Sequence, residues 1–348
     1  MAHLIDESKG IAAIASRGGA ASCWHGLGQE ILSTDSIEVI QRKAGLNFEV
    51  ASAPVEYTDK NGHTYSFEKK NVTYRTDTGA ALGIAGPHRN EVQPFEVLEF
   101  FDKFLKDNSL HIETAGALRG GNTVWALAEL GPDFQHMLPG KDKIRAYVRL
   151  MTGFDSKTST QAVLTYIRQV CANTEEAINV QDGKNSYRVS HSSVFDPTSL
   201  QKAIGLFGEQ HKMTSALWNA LAKRKVTATE RDQFFCDVMG VDIEKKNDVD
   251  ENGKPLISTR TRNVLDQLTA AFSKSKGADL KSAKGTAYGL LQAVTYWADH
   301  QAVTNDLTGD GKKNSRLQSA WFGLNAQAKA DAQYFAAQLA GCSELVAA

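Results

Sequence analysis

An alternating run of basic and aromatic residues is the clearest chemical feature of this sequence. Arg145, Tyr147 and Arg149 alternate there with four apolar residues, which are Ile144, Ala146, Val148 and Leu150. In a β-strand, this alternation places two guanidinium groups and a phenol ring on one face. Such a face could hold phosphate groups and stack a base. The simpler alternative is the solvent-exposed face of an ordinary antiparallel sheet.

Positive charge is concentrated around this run, although the whole chain is nearly neutral. Residues 141–170 contain six basic and two acidic residues, and residues 260–316 contain nine basic and five acidic residues. An acidic stretch, residues 229–254, offsets them with eight acidic and four basic residues. Clustered lysine and arginine side chains are typical of a nucleic-acid-binding surface. We therefore predict a nucleic-acid-binding set that consists of Arg119, Arg145, Tyr147, Arg149, Lys157 and Arg168.

A second group of polar residues lies beside glycines, as residues of binding loops often do. Cys23 and His25 could form a thiolate–imidazole pair, but no third residue orients them. The simpler interpretation is a small apolar cysteine beside a histidine. A carboxylate, an imidazole and guanidinium groups could still converge into a pocket near Arg119. The predicted members of this pocket are Trp24, His25, Tyr74, Arg75, Asp77, Glu113 and Asn173.

Sequence signatures of metal and cofactor binding are incomplete or absent. Residues 248–253 match the first half of a calcium-binding EF-hand loop, but Thr259 occupies the twelfth position, where a bidentate Glu is needed. The sequence also lacks the H-E-x-x-H motif of zinc enzymes and the G-x-x-x-x-G-K-S/T phosphate-binding loop. We therefore predict neither a metal site nor a cofactor.

An antiparallel sheet in the N-terminal half is predicted to position these residues. Alternating patterns and turn residues predict strands at residues 47–56 and 63–69, followed by a hairpin at residues 74–85 with Gly79 in its turn. They also predict two strand pairs, one at residues 110–119 and 123–130 and the other at residues 144–150 and 162–170. Pro94 begins a predicted helix. Its apolar stripe consists of Val97, Leu98, Phe101, Phe104 and Leu105.

After residue 190, the apolar period changes from two to about 3.6, which predicts helices. We expect them at residues 199–225, from an N-cap at Thr229 to Met239, and at residues 262–272, 286–300 and 326–339. Gly285 and Gly289 would allow close backbone approach around the fourth of these helices. The predicted fold class is therefore α+β, with an antiparallel sheet and a packed helix in residues 1–185 and a mainly helical region in residues 190–348.

The composition is that of an ordinary soluble globular protein. The 348 residues are 42% hydrophobic and 23% charged, and the formal net charge is −1. The four cysteines lack a C-x-x-C pairing, so we predict reduced thiols. The sequence has no signal-peptide pattern and no apolar run of about 18–20 residues. We therefore predict a cytoplasmic protein that has no membrane partner.

Seven short motifs together resemble one known family. They lie at residues 24–28 (WHGLG), 74–79 (YRTDTG), 92–94 (VQP), 113–121 (ETAGALRGG), 171–174 (CANT), 285–289 (GTAYG) and 319–323 (SAWFG). In their order and spacing, from about residue 3 to residue 340, the chain resembles the phage/plasmid-like proteins built on domain of unknown function 932. The departures are Cys23 before the tryptophan and an insertion-like stretch at residues 303–313. The resemblance carries over no catalytic residue.

What the resemblance implies is a protein of phages, prophages or plasmids that acts in the bacterial cytoplasm. DNA maintenance, recombination and countering host defence are common tasks of such proteins. The leading hypothesis is therefore non-enzymatic binding or annealing of single-stranded DNA in recombination, with the choice between DNA and RNA left open. A helix, antiparallel strands and then helices are loosely compatible with the core of single-strand annealing proteins, an analogy of fold alone.

Two other functional interpretations of the sequence stay open. One is an enzyme or anti-defence factor that uses the pocket predicted above. The other is a homo-oligomer whose helical half forms the interface between copies.

Overall fold

Two β-sheets and a set of mainly C-terminal helices make up the fold in a computed structural model of the chain. The structure describes residues 5–6, 12–17, 28–99, 111–155, 158–176, 186–189, 197–246, 248–249, 251–253, 255–303, 319–321 and 323–346. Strands lie mainly in the N-terminal half and helices in the C-terminal half, so the predicted α+β class is confirmed. None of the helices in these ranges is long and apolar enough to cross a membrane.

The described strands form one large and one small sheet. The strands are β1 (Ile14–Ser16), β2 (Gln29–Glu30), β3 (Val50–Thr58), β4 (Thr64–Arg75), β5 (Ala81–Ala85), β6 (His111–Leu118), β7 (Thr123–Glu129), β8 (Gln135–Leu138), β9 (Asp142–Gly153), β10 (Thr160–Arg168), β11 (Asn173–Glu176) and β12 (Ser186–Val189). The large sheet has the order β11-β10-β9-β7-β6-β1-β2, with β12 beside β10 and β8 beside β9. Its pairs are antiparallel except β1 with β2.

The small sheet joins two predicted hairpins into one unit, because they share a strand. β4 pairs with β3 on one side and with β5 on the other. No glycine or proline interrupts residues 64–75, so one extended strand continues from the first turn to the second. Gly79 occupies the second turn, as predicted, with a φ of +68° that favours glycine.

The described helices are α1 (Ile37–Lys43), α2 (residues 94–99), α3 (Pro197–Lys223), α4 (Ala228–Val238), α5 (Thr259–Lys274), α6 (Ala287–Tyr296) and α7 (Leu324–Leu339). The predicted N-cap Thr229 is wrong, because Thr227 forms a capping box with Glu230 and α4 begins earlier. In α2, Val97 and Leu98 are buried as predicted. The rest of its predicted stripe, Phe101, Phe104 and Leu105, lies outside the described residues.

The larger core cluster lies between one face of the large sheet and the C-terminal helices. It contains Val148 from β9, Trp218 from α3 and Leu291 from α6. Gly289 permits the close approach that was predicted, because a Cβ atom there would lie 2.1 Å from the carbonyl oxygen of Ala283. The same expectation for Gly285 is wrong. A Cβ atom at Gly285 would meet nothing within 4 Å. Glycine is favoured at this position because the backbone φ is +65°.

Candidate functional site

The predicted basic and aromatic face of β9 exists, but it is largely covered. The predicted alternation is confirmed. The four apolar residues of this run lie in the larger core cluster, whereas Tyr147 lies in a smaller cluster on the opposite face. We call this opposite side of the large sheet its second face. Tyr147 and Arg149 are each only 2% exposed, and Arg145 keeps 33% of its side-chain surface. The expected open, solvent-facing surface is therefore wrong for Tyr147 and Arg149.

Residues from the distant C-terminal part of the chain cover the second face. Ala320 and Trp321 belong to the same small cluster as Tyr147. The guanidinium carbon of Arg149 lies 4.9 Å from the ring centroid of Trp321, and Trp321 meets Trp125 edge to face at 5.0 Å. A buried cation over an indole ring is a packing interaction. A base could stack on Tyr147 only if this cover moved.

The other predicted basic residues are also held by protein groups where the structure describes them. Arg168 is buried and donates from Nε and Nη2 to the Asp142 carboxylate, at 2.9 and 2.7 Å. Arg119 keeps 32% of its side-chain surface and lies 3.7 Å from Asp155. Lys157 lies outside the described residues. The assignment of Arg168 to phosphate binding is thus contradicted by its burial and ion pairing.

The alternative pocket is only partly assembled in the described residues. Arg75 is fully buried and donates to Asp77 at 2.9 and 3.0 Å, to Asp6 at 2.6 Å and to the Gly120 carbonyl at 3.2 Å. Its guanidinium also lies 4.0 Å above the ring of Phe48. Arg75 therefore joins the small sheet to the turn between β6 and β7, which is a structural role.

The remaining members of the predicted pocket lie at different places. Tyr74 precedes Arg75 on β4, while Trp24 and His25 fall outside the described residues. Asn173 is buried and donates to the side chain and the carbonyl of Gln292, at 2.9 and 3.2 Å. Glu113 belongs to the cluster described next. The expected convergence of Glu113 and Asn173 on the Arg75–Asp77 pair is therefore not what the described contacts show.

Glu113 lies in a carboxylate–imidazole cluster with His111 and Glu129, at one end of the second face. His111 Nε2 is 3.8 Å from Oε2 of each glutamate. Burial, followed by the charge of Glu129, raises the pKa of Glu113. Arg145 contacts the cluster, with Nη1 at 3.2 Å from Glu129 Oε2. His111 and Glu129 were missed, because the predicted hairpin of residues 110–119 and 123–130 gives no sign of the bulge that sets His111 opposite Glu129.

A cavity of about 390 Å³ opens farther along the second face, between β10, β11, β12 and helix α7. Its lining includes Thr174, Trp321 and Gly323 from two of the seven sequence motifs, together with Arg149, Arg188 and Lys329. Lys329 is tied to Asp299 at 2.5 Å and to the Thr174 carbonyl at 2.9 Å. The size and the mixture of polar and apolar walls are those of a small-ligand pocket.

Glu175 is a buried acid in the wall of this cavity. Its carboxyl accepts hydrogen bonds from Trp218 Nε1 at 3.1 Å and from the Gln292 side chain. Burial raises the pKa of Glu175, because a low-dielectric environment disfavours the charged form. The fold thus supports a carboxyl group that holds its proton at a higher pH than an exposed glutamate does.

The hairpin of β3 and β4 presents a row of aromatic side chains to solvent. Tyr57, Tyr65 and Phe67 are 55%, 46% and 45% exposed. Tyr57 pairs directly with Tyr65, and Phe67 follows two positions after Tyr65, so the three rings share one face. The rings of Tyr57 and Tyr65 lie 5.5 Å apart at an angle of 26°. We call these three residues the aromatic hairpin surface. The hairpin itself was predicted, but the exposed row of aromatic rings on it was not.

These features define an α+β protein whose described residues present a covered sheet face, a polar cavity and an exposed aromatic hairpin. The chain belongs to the family of the domain of unknown function DUF932, whose model matches residues 81–321. The matched range is more than half of the chain and includes the motifs at residues 113–121, 171–174 and 285–289. No curated protein and no solved structure matches the chain.

Proposed function

We propose that the protein binds single-stranded nucleic acid without catalysing a reaction on it, and that bases stack on the aromatic hairpin surface. The observation that carries the proposal is the exposure of Tyr57, Tyr65 and Phe67 on one face. Rows of aromatic rings that face solvent serve as stacking platforms in proteins that bind single strands with little sequence preference. Each stacked base contributes roughly 1–3 kcal/mol by alanine substitution.

Lysines on the same hairpin are available to contact phosphate groups. Lys60, Lys69 and Lys70 are exposed, but Glu56 and Glu68 on the same hairpin offset part of their charge. Because the local charge is mixed, we expect stacking to contribute more to affinity than phosphate contacts do. The salt dependence should then be shallower than for a purely electrostatic binder.

The test is fluorescence anisotropy of the nuclease-treated protein with labelled single- and double-stranded DNA and RNA over a salt series. We expect a single strand to bind more tightly than a duplex, because duplex bases are already stacked on each other. Changing Tyr57, Tyr65 and Phe67 together to alanine should weaken single-strand binding at least about tenfold, since each stacked ring is worth roughly 1–3 kcal/mol. Far-UV circular dichroism checks that the variant is folded.

A matched control separates stacking from a general loss of exposed aromatic surface. Tyr334 on α7 is 45% exposed, like the hairpin tyrosines, and lies on a different element. Tyr334→Ala should leave the affinity unchanged. The proposal fails if no strand binds at about 50 mM salt, where phosphate contacts are strong. It also fails if the triple variant binds as well as the unchanged protein.

The biological setting belongs to the same proposal. The motif resemblance supports a phage- or plasmid-borne protein that acts in the bacterial cytoplasm, and annealing of single strands in recombination is the task that suits strand binding. Cooperative binding along the strand is common among proteins that bind single strands, so we also propose a homo-oligomer. Light scattering of the protein with and without a single strand, followed by an annealing assay with complementary strands, tests both.

A further inference from the structure

We propose that His111, Glu113 and Glu129 bind a divalent transition-metal ion, with Zn²⁺ preferred over Mg²⁺ and Ca²⁺. Each residue offers one ligand atom, and the three atoms lie within 4.8 Å of one another. This site is separate from the aromatic hairpin surface, and the proposal does not depend on strand binding.

The backbone of two paired strands holds the three ligands together. His111 on β6 lies directly opposite Glu129 on β7. A β-bulge between Ile112 and Thr114 inserts Glu113 as an extra residue on the β6 side. Bulges re-aim side chains and occur often beside functional sites. A site built on paired strands is more rigid than one built on loops.

The distances require only small side-chain movements to close around an ion. Zinc bonds to histidine nitrogen and carboxylate oxygen are about 2.0–2.2 Å long, so two ligands of one ion lie at most about 4.4 Å apart. His111 Nε2 is 3.8 Å from Oε2 of both Glu113 and Glu129. The two separations that involve His111 therefore already fall in the range that ligands of a shared ion adopt, and the two glutamate oxygens lie within 4.8 Å of each other.

Exposure gives an ion a path to the site. The side chain of His111 is 44% exposed, that of Glu113 is 25% exposed and that of Glu129 is 12% exposed. The imidazole is the outermost ligand, and the carboxylates lie beneath it. Water could fill the remaining coordination positions.

The kinds of donor atom set the metal preference. An imidazole nitrogen suits zinc and other transition metals, whereas magnesium and calcium prefer sites made of oxygen ligands alone. One nitrogen and two carboxylate oxygens therefore favour Zn²⁺. The sequence motifs for zinc fail to identify such a site, because its ligands come from two strands rather than from one helix.

The guanidinium group of Arg145 competes with a metal ion for the carboxylate of Glu129. Its Nη1 lies 3.2 Å from Glu129 Oε2, so it neutralises one carboxylate when no ion is bound. Arg17 also lies nearby, with Nε donating to the Ile112 carbonyl at 2.9 Å. Metal binding must displace the Arg145 guanidinium or weaken its ion pair. Removing Arg145 should therefore tighten metal binding, whereas removing a ligand should loosen it.

The test is isothermal titration calorimetry of the full, tag-free chain after chelator treatment, with Zn²⁺, Mg²⁺ and Ca²⁺ titrated separately. We expect one Zn²⁺ per chain and much weaker binding of the other two ions. His111→Gln, Glu113→Gln and Glu129→Gln should each weaken Zn²⁺ binding at least about tenfold. Arg145→Ala should strengthen it. Circular dichroism confirms that each variant is folded.

His63→Gln is the matched control, because His63 is also exposed and lies 3.6 Å from a carboxylate, that of Asp59. It should leave Zn²⁺ affinity unchanged. The proposal is overturned if the His111→Gln protein binds Zn²⁺ as tightly as the unchanged chain, or if Mg²⁺ binds as tightly as Zn²⁺. Absence of saturable one-to-one Zn²⁺ binding overturns it as well.

Discussion

Arg168 and Asp142 form a bidentate ion pair at the buried contact between the large sheet and the C-terminal half. Arg168 Nε lies 2.9 Å from Asp142 Oδ1, and Arg168 Nη2 lies 2.7 Å from Oδ2. Ser282 Oγ donates to the same carboxylate at 2.6 Å, and Arg168 also donates to the Gly277 carbonyl at 2.9 Å. This arginine therefore connects β9 and β10 to the segment that precedes α6.

Arg168→Ala should destabilise the protein by about 3–5 kcal/mol, because it leaves the buried Asp142 carboxylate without its cation. Arg145→Ala removes a partly exposed ion pair and should cost less than about 1 kcal/mol. Urea unfolding of both variants measures the difference. A loss of less than about 1 kcal/mol for Arg168→Ala, as for an exposed ion pair, would mean that the Arg168–Asp142 pair does not support the fold.

Lys69→Ala combined with Lys70→Ala should reduce the salt dependence of single-strand binding. Each lost phosphate contact lowers the slope of log affinity against log salt by about 0.7 for a single strand. The affinity should fall less than in the aromatic triple variant. Anisotropy titrations at several salt concentrations provide the slope.

The control for that slope is the double variant Arg260→Ala and Arg262→Ala, which removes two exposed cations from α5. Its slope should match that of the unchanged protein. A slope that responds to the α5 pair and not to the hairpin pair would place the phosphate contacts on the helical half.

Gly289→Ala should destabilise the protein by about 1–3 kcal/mol through overpacking. The added Cβ atom would lie 2.1 Å from the Ala283 carbonyl oxygen and 3.1 Å from the Phe272 ring. Because the Ala283 oxygen belongs to the backbone, it cannot shift without distorting the chain around it. Gly208→Ala on α3 is the matched control, because nothing lies within 4 Å of its Cβ position. Gly208→Ala should stabilise by roughly 0.5–1 kcal/mol. Thermal unfolding should therefore show a lower melting temperature for Gly289→Ala and a higher one for Gly208→Ala. A melting temperature that does not fall in Gly289→Ala would contradict the prediction.

Glu175→Gln should change how stability depends on pH. Because burial raises the pKa of Glu175 in the folded state, the folded chain holds this proton more strongly than the unfolded chain. The stabilising contribution is complete below the ordinary glutamate pKa of 4.5 and is lost as pH rises above it. The unchanged protein should therefore lose stability relative to Glu175→Gln between about pH 4.5 and neutral pH.

Urea unfolding of both proteins at several pH values measures this difference. At low pH the glutamine variant should be the less stable by roughly 1 kcal/mol, since Trp218 and Gln292 donate to different carboxyl oxygens and the amide nitrogen that replaces one of them cannot accept a hydrogen bond. A stability difference that stays constant with pH would show that Glu175 does not titrate differently in the two states.

Local patterns predicted much of the secondary structure, because turns and alternation depend on neighbouring residues. The turn at residues 59–62 predicted the β3–β4 hairpin, and the alternation at residues 144–150 predicted the two faces of β9. Element ends were less accurate. Thr227 caps α4 instead of Thr229, since the capping box needs both the hydroxyl and Glu230 three residues later.

The candidate sites were harder to predict, because exposure and charge compensation depend on distant residues. Arg149 has the residue type and the face of a phosphate-binding group, yet Trp321 covers it from 172 positions away in the chain. Arg168 has the same chemistry, but Asp142 and the Gly277 carbonyl use it inside the protein. Conversely, Tyr57 lies just beyond the predicted strand at residues 47–56, yet it belongs to β3 and is exposed.

The α+β class, the strand faces and the close approach at Gly289 could be predicted from the order of the residues, since alternation, helical periodicity and glycine positions are local features of the chain. The cover on both faces of the large sheet and the neutralisation of its charges depend on how distant elements pack together. Strand pairing and a bulge also bring His111 and Glu113 beside Glu129. Burial and pairing are set by which elements pack together, and packing joins side chains that no local pattern connects.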